Sequence, residues 1–246
     1  MLKMKMTRRF LPVMIAVSVV LPALAWAQDS SPIDIGKYTE PIKLACVGDS
    51  ITAGVGAGKG RSWPDQVRGM LGEKWNVKNF GVSATTLMNS GDKPYQKVGA
   101  FKNAKDFYPD VVVIVLGTND TKPRNWKNFK KDFEADYTDM VKQFAETSGK
   151  PRIFACYPPY VGKKGNYGIN EPNVLEEIPV IDKVAKDMKL GVVDVHGALK
   201  GKDELIPDNV HPNAEGAQII AATVFKALTG KEAPREAPKE APKESK

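Results

Sequence analysis

The sequence predicts an α/β fold in which a parallel sheet is covered by helices on both faces. Three observations carry that expectation. After residue 40, strand-like and helix-like runs alternate along the chain. The run VVVIVL, Val111–Leu116, shows no polar alternation, as a strand buried on both faces requires. Three short loops follow strand-like runs directly: the one opening at Gly48, Gly81, and Gly117–Asp120. In parallel sheets such loops gather at one edge and carry the reactive groups.

The strands expected in order are Ile42–Val47, Val77–Phe80, Val111–Leu116, Arg152–Ala155 and Gly191–Val195. Helices lie between and after them. Phe129, Phe133, Tyr137, Met140, Val141 and Phe144 recur at steps of three and four, which gives one apolar stripe. Val174, Ile178, Ile181, Ala185 and Met188 form a second stripe, with Pro179 marking a helix start or kink. Ala217, Ile220, Ala221, Val224 and Leu228 form the last, closed by Gly230. All three stripes are core faces.

The two ends of the 246-residue chain differ from this pattern. Residues 1–27 have the layout of a secretory signal peptide. Lys3, Lys5, Arg8 and Arg9 make a basic start, Phe10–Leu24 an apolar centre, and Ala25-Trp26-Ala27 a small-residue cleavage site. The apolar run is short for a membrane span and contains Pro12 and Pro22, so no lasting membrane insertion is expected. A secreted or periplasmic location follows. Residues 28–40 are a lead segment and 41–230 the globular domain. Residues 231–246, KEAPREAPKEAPKESK, repeat proline among alternating charges, which predicts a solvated, disordered tail. Loss of the signal segment lowers the formal charge from +7 to +3, and the tail carries one further positive charge. The domain itself is close to neutral, so the basic balance gives no reason to expect a nucleic-acid partner.

The glycine-rich stretch CVGDSITAGVGAGKGRSWP, residues 46–64, fits either a phosphate cradle or a nucleophile turn. The phosphate pattern GxxxxGK[ST] fails, because Ala53 stands five residues before Gly58 and Gly60 follows Lys59. The GxGxxG pattern fails as well, at Lys59 and at Arg61. A serine nucleophile needs a base, and the chain has two histidines. His211 in PDNVHPNAEG lies three residues after Asp208, a spacing that lets the carboxylate turn back to its own histidine. Pro212 and Asn213 then start the last helix and give His211 a fixed platform. His196 ends the fifth strand and is the weaker candidate, a structural or rim residue. Gly81 in NFGVSATT and Asn119 in LGTND occupy strand ends suited to holding an oxyanion, and suited equally to a tight turn and a loop cap.

The blocks GDSIT, NFG, GTND and DNVHPN, in this order from Gly48 to Asn213, resemble the SGNH (GDSL-type) hydrolase family. The resemblance implies a three-layer, flavodoxin-like α/β/α sandwich with a five-stranded parallel sheet of order 2-1-3-4-5. It implies Ser50 as nucleophile, with the Ser50 amide, Gly81 and Asn119 as oxyanion donors. His211 becomes the base, oriented by Asp208, and neither metal nor cofactor is needed. Ile51 replaces the leucine of many members. Thr52 stands where a GxSxG elbow needs glycine, which disfavours an ordinary α/β-hydrolase. The implied order places a strand between Cys46 and Cys156, so two buried thiols are expected rather than a disulfide.

The stretches NFGVSATTLMNSGDKPY and GTNDTKPRNW are similar to those of secreted bacterial sialate O-acetylesterases and other carbohydrate deacetylases. That similarity implies removal of a short acyl group, acetyl first, from a glycan. Lys122, Arg124, Trp126, Tyr157 and Tyr160 are candidates for a substrate rim, although packing or solvated roles suit them at least as well. A general short-chain esterase, a lysophospholipase or a thioesterase stays open, as does a glycan-binding module without catalysis.

Overall fold

The structure, a computed structural model, describes residues 30–234; the signal-peptide segment and the tail beyond residue 234 lie outside the described residues. Five strands form one parallel sheet: β1 (Ile42–Gly48), β2 (Trp75–Gly81), β3 (Val111–Val115), β4 (Arg152–Cys156) and β5 (Gly191–Val193). Their order is β2-β1-β3-β4-β5, as expected from the family resemblance. The register places Leu44 opposite both Val77 and Val111, and Val113 opposite Phe154.

The helices are α1 (Ser50–Ala53), α2 (Trp63–Leu71), α3 (Gly99–Asp106), α4 (Pro123–Phe129), α5 (Phe133–Ala145), α6 (Glu171–Met188), α7 (Val195–Leu199) and α8 (Ala214–Thr229). Side chains alternate across each strand, so β1 and β3 feed two cores. On one face Leu44, Cys46 and Val113 meet Trp63 and Val67 of α2, Leu199 of α7 and Ile220 and Val224 of α8. On the other, Ala45, Val47 and Ile114 meet Phe101 of α3, Tyr137 and Phe144 of α5 and Ile181 of α6. Every residue of β3 is buried, which accounts for its unbroken apolar run.

Four details depart from the sequence expectation or add to it. The stripe from Phe129 to Phe144 is broken: α4 ends where Phe129 leaves the helical region at φ −127°, and a 3₁₀ turn over Lys130–Asp132 leads into α5. Of the two readings of Pro179, a helix start or a kink, the start does not hold, because the residue lies inside a helix. Helix α6 begins eight residues earlier, where the Asn170 side chain accepts the Asn173 amide and Pro172 occupies the first turn. Strand β5 ends at Val193, because Asp194 caps α7 by accepting the Gly197 amide at 2.6 Å. The lead segment is partly anchored, since buried Ile33 donates its amide to the Leu228 carbonyl of α8 at 2.8 Å.

Cys46 on β1 and Cys156 on β4 are both free and buried, with β3 between them. Among the described residues, no helix is long and apolar enough to cross a membrane.

Candidate active site

The carboxyl ends of β1, β2 and β3 set the site. Strand β1 stops at Gly48, and Asp49 turns the chain into α1 by accepting the Ile51 amide at 2.9 Å. Ser50 is the first residue of α1, so its own N–H has no partner within the helix. Its side chain is held where the glycine loop closes back on the histidine loop. Gly56 makes this approach possible: its φ is +86°, and a Cβ there would meet the Pro212 carbonyl at 2.7 Å and the His211 Cβ at 2.9 Å.

Asp208 and His211 form the closed turn that their spacing predicts. One Asp208 oxygen, Oδ1, accepts the amides of Val210 at 3.0 Å and His211 at 2.6 Å. The other, Oδ2, accepts from His211 Nδ1 at 2.7 Å. Burial would raise the Asp208 carboxyl, but the His211 and Val210 amides and the His211 ring together hold it below its ordinary range. A carboxylate can only accept, so the ring proton belongs on Nδ1. Nε2 is left as an acceptor, and it lies 2.8 Å from Ser50 Oγ. Asn213 then caps α8 by accepting the Glu215 and Gly216 amides at 3.0 and 2.9 Å. The histidine therefore sits two residues ahead of a firmly capped helix.

Gly81 requires a correction. Its amide, expected to face an oxyanion, donates instead to Asn79 Oδ1 at 2.8 Å. A Cβ at Gly81 would stand 2.3 Å from the Ala53 nitrogen, so the residue is a close-packing glycine that lets α1 lie against β2. The loop after it offers a different donor. Ala84 holds φ +66°, is exposed, and its N–H makes no hydrogen bond among the described residues. Asn119 is buried, and its Nδ2 donates to the Thr85 carbonyl at 3.1 Å and to Asp49 Oδ2 at 3.3 Å. Asp120 accepts the Leu87 and Met88 amides, both at 2.8 Å. Residues 85–88 are thus tied to the loop after β3 through Asn119 and Asp120.

The expected rim divides. Trp126 is a core residue: its ring packs edge-on against Phe133 at 5.5 Å, and its indole donates to Glu176 at 2.8 Å. Tyr160 is buried as well, with its hydroxyl on Asp203 at 3.3 Å and its ring against His196. Neither lines a rim. Tyr157 is half-buried and donates to Asp182. Lys122 is half-buried and pairs with Asp92 at 3.3 Å, while Arg124 is exposed. His196 is a structural histidine, buried and bonded through Nε2 to Glu171 at 2.7 Å.

Residues 46–219 match the GDSL-like Lipase/Acylhydrolase family. The chain belongs to that family. This GDSL-like chain is 37% identical over 211 residues to an acetylxylan esterase from Xylanibacter ruminicola, covering 77% of the chain and 43% of that protein. It spans less than half the length of that curated relative. Its fold is similar to that of the M. smegmatis aryl esterase, with a TM-score of 0.61 at 20% identity over 76% of this chain and 98% of that one. It is similar also to a carbohydrate acetylesterase from Sinorhizobium meliloti, with a TM-score of 0.62 at 19% identity over 76% and 98% of the two chains.

Behind the GDSL serine lies a group of buried acids that the motifs alone did not single out. Burial pushes Asp49 up to about 6, against the opposing Ile51 amide, His211, Thr118 and Asn119. Burial pushes Asp120 up to about 7, with the Leu87 and Met88 amides opposing. Glu177 on α6 is raised well above its ordinary range by burial and by the charges of Asp120 and Asp49, and neither of its oxygens has a hydrogen-bond partner among the described residues. Among those residues no group of three or more His, Cys, Asp and Glu is arranged to hold a metal ion.

Proposed function

We propose that this chain is an exported serine esterase that removes short acyl groups, acetyl foremost, from a carbohydrate. One observation carries the chemistry: the unbroken path from Ser50 Oγ through His211 to Asp208, with links of 2.8 and 2.7 Å. An intact path of this kind favours hydrolysis over a binding module without catalysis.

In the proposed cycle Ser50 Oγ attacks the ester carbonyl and gives its proton to His211 Nε2. The tetrahedral oxyanion is met by the Ser50 amide, the Asn119 side chain and the Ala84 amide, which takes the part first assigned to Gly81. The Asn119 bond to Asp49 is the longer of its two, and it is the one an oxyanion would compete for. Each such donor is worth roughly 3 kcal/mol of barrier. His211 protonates the leaving alcohol, leaving an acyl group on Ser50. Water then attacks with the same base, and the acid departs.

The carbohydrate assignment is supported by the similarity to the acetylxylan esterase. Export is supported by the basic, apolar and small-residue layout of residues 1–27. Acetate release from acetylated xylan, acetylated sialic acid and medium-chain esters, measured side by side, tests the substrate. Ser50→Ala and His211→Ala are each expected to lose at least about a thousandfold in kcat/KM, and the double variant little more, because the two act as a unit. Wild-type turnover in Ser50→Ala would overturn the nucleophile assignment.

A further inference from the structure

Tyr167 has three properties that do not belong together in an ordinary loop residue. It is 61% exposed, although it is a large aromatic. Its φ is +54°, in the left-handed region that disfavours side chains beyond glycine, asparagine and aspartate. Its ring centre is 5.9 Å from that of His211, tilted by 55°, with its hydroxyl 3.4 Å from Asp208 Oδ2.

The local backbone explains how the ring is held. Asn166 and Ile169 pair across a two-residue turn, with amide-to-carbonyl bonds of 3.2 and 2.7 Å. Tyr167 and Gly168, the two central residues, both have positive φ, the pattern of a type I′ hairpin turn. Asparagine or glycine is the residue such a turn favours at its first central position. The hairpin is moored on both sides of the site. Asn166 Nδ2 donates to the Asp208 carbonyl at 2.9 Å, and the Gly162 amide donates to the Asn209 carbonyl at 3.0 Å. At its other side, Gly168 lies against Lys122 and Pro123, just beyond Asn119 and Asp120. A strained, exposed aromatic fixed beside a base is kept for contact with something outside the fold.

We propose that Tyr167 is the platform on which the sugar ring bearing the ester stacks. This rests on the carbohydrate-ester reading above. A pyranose has one face of C–H groups and a rim of hydroxyls, so it suits a single flat aromatic set among polar side chains. Asn166, Lys122 and Asp208 supply that polar surround. A long acyl chain would need a contiguous apolar lip. Among the described residues the exposed large apolar side chains are Ile35, Val55, Tyr108, Tyr167 and Leu175, and of these Val55, whose amide donates to the Ser50 carbonyl, and Tyr167 belong to segments that touch the Ser50–His211 region.

The test compares acetate release from acetylated xylo-oligosaccharide and from vinyl acetate, which has no ring to stack. For Tyr167→Asn, kcat/KM on the oligosaccharide is expected to fall about tenfold more than on vinyl acetate, mostly through KM. The same variant should melt about 2–4 °C higher, because asparagine suits the turn. Tyr167→Phe should keep the wild-type ratio of the two activities, since the ring and not the hydroxyl is at issue. An unchanged ratio in Tyr167→Asn would overturn the platform while leaving the carbohydrate reading intact. So would a fall in Tyr167→Phe as selective for the oligosaccharide as that of Tyr167→Asn, which would place the recognition in the hydroxyl and not in the ring. Wild-type turnover of vinyl acetate with none of the oligosaccharide would overturn both readings.

Discussion

Asp49 holds two groups that face one small volume. Its Oδ1 fixes the amide of Ile51 and so the start of α1, and its Oδ2 receives the Asn119 side chain. The nucleophile and one proposed oxyanion donor are therefore set against each other through a single carboxylate. Asp49→Asn retains the shape but replaces one acceptor oxygen by a donor that faces either Ile51 or Asn119. We expect kcat on a small acetate ester to fall about tenfold to a hundredfold with KM little changed, as loss of transition-state contacts requires. A variant that raised KM alone would count against this role. At this scale sequence and structure part company at Gly81. The motif marks the loop, but the direction of the Gly81 amide depends on the Asn79 side chain, which the sequence does not orient. Trp126 stayed open between rim and packing for a related reason: its polar neighbours suit a surface, whereas Phe133, seven residues on, draws it into the core.

Among the elements, α8 links stability most directly to the site. Its first turn is closed by Asn213, two residues from His211, and its apolar stripe packs on β1, β3 and α2. Asn213→Ala should cost about 1 kcal/mol, lowering Tm by about 2–4 °C. Because the same residue fixes the exit of the histidine loop, kcat should fall with it, by about threefold to tenfold. Thermal melts and initial rates on one preparation check both. This helix was legible from its stripe, its Asn213 start and its closing Gly230. Helices α2 and α3 were not, since each offers few apolar anchors: Trp63 and Val67 in one, Phe101 and Ala104 in the other. The Asn166–Ile169 turn escaped notice because tyrosine stands where the turn signal would be asparagine or glycine.

For the whole molecule, the buried acids make stability depend on pH. Glu177 has its folded-state pKa raised, so the folded protein holds this proton more tightly than the unfolded chain does. Stability from this group is present at pH values below the ordinary carboxyl range. It is lost as pH rises above that range, until the folded form also ionises. Glu177→Gln cannot ionise and removes that loss. We expect the variant and the parent to melt alike near pH 4. By pH 8 the variant should be ahead by at least about 2–4 °C, the shift that about 1 kcal/mol produces in a domain of this size. A constant gap across that range would show that Glu177 is not the titrating group. The sheet order was legible because each strand and the loop after it are local signals. The acid group was not, because Asp49, Asp120 and Glu177 come from three distant parts of the chain.

The place of the two cysteines also bears on how the protein can be made. Two strand spacings, about 9–10 Å, separate the backbones of β1 and β4. That exceeds the reach of a disulfide, and β3 fills the gap. The folded domain therefore does not rely on a Cys46–Cys156 bond. The described domain can acquire the same core in a reducing cytosol, in an oxidising compartment or in a tube containing dithiothreitol.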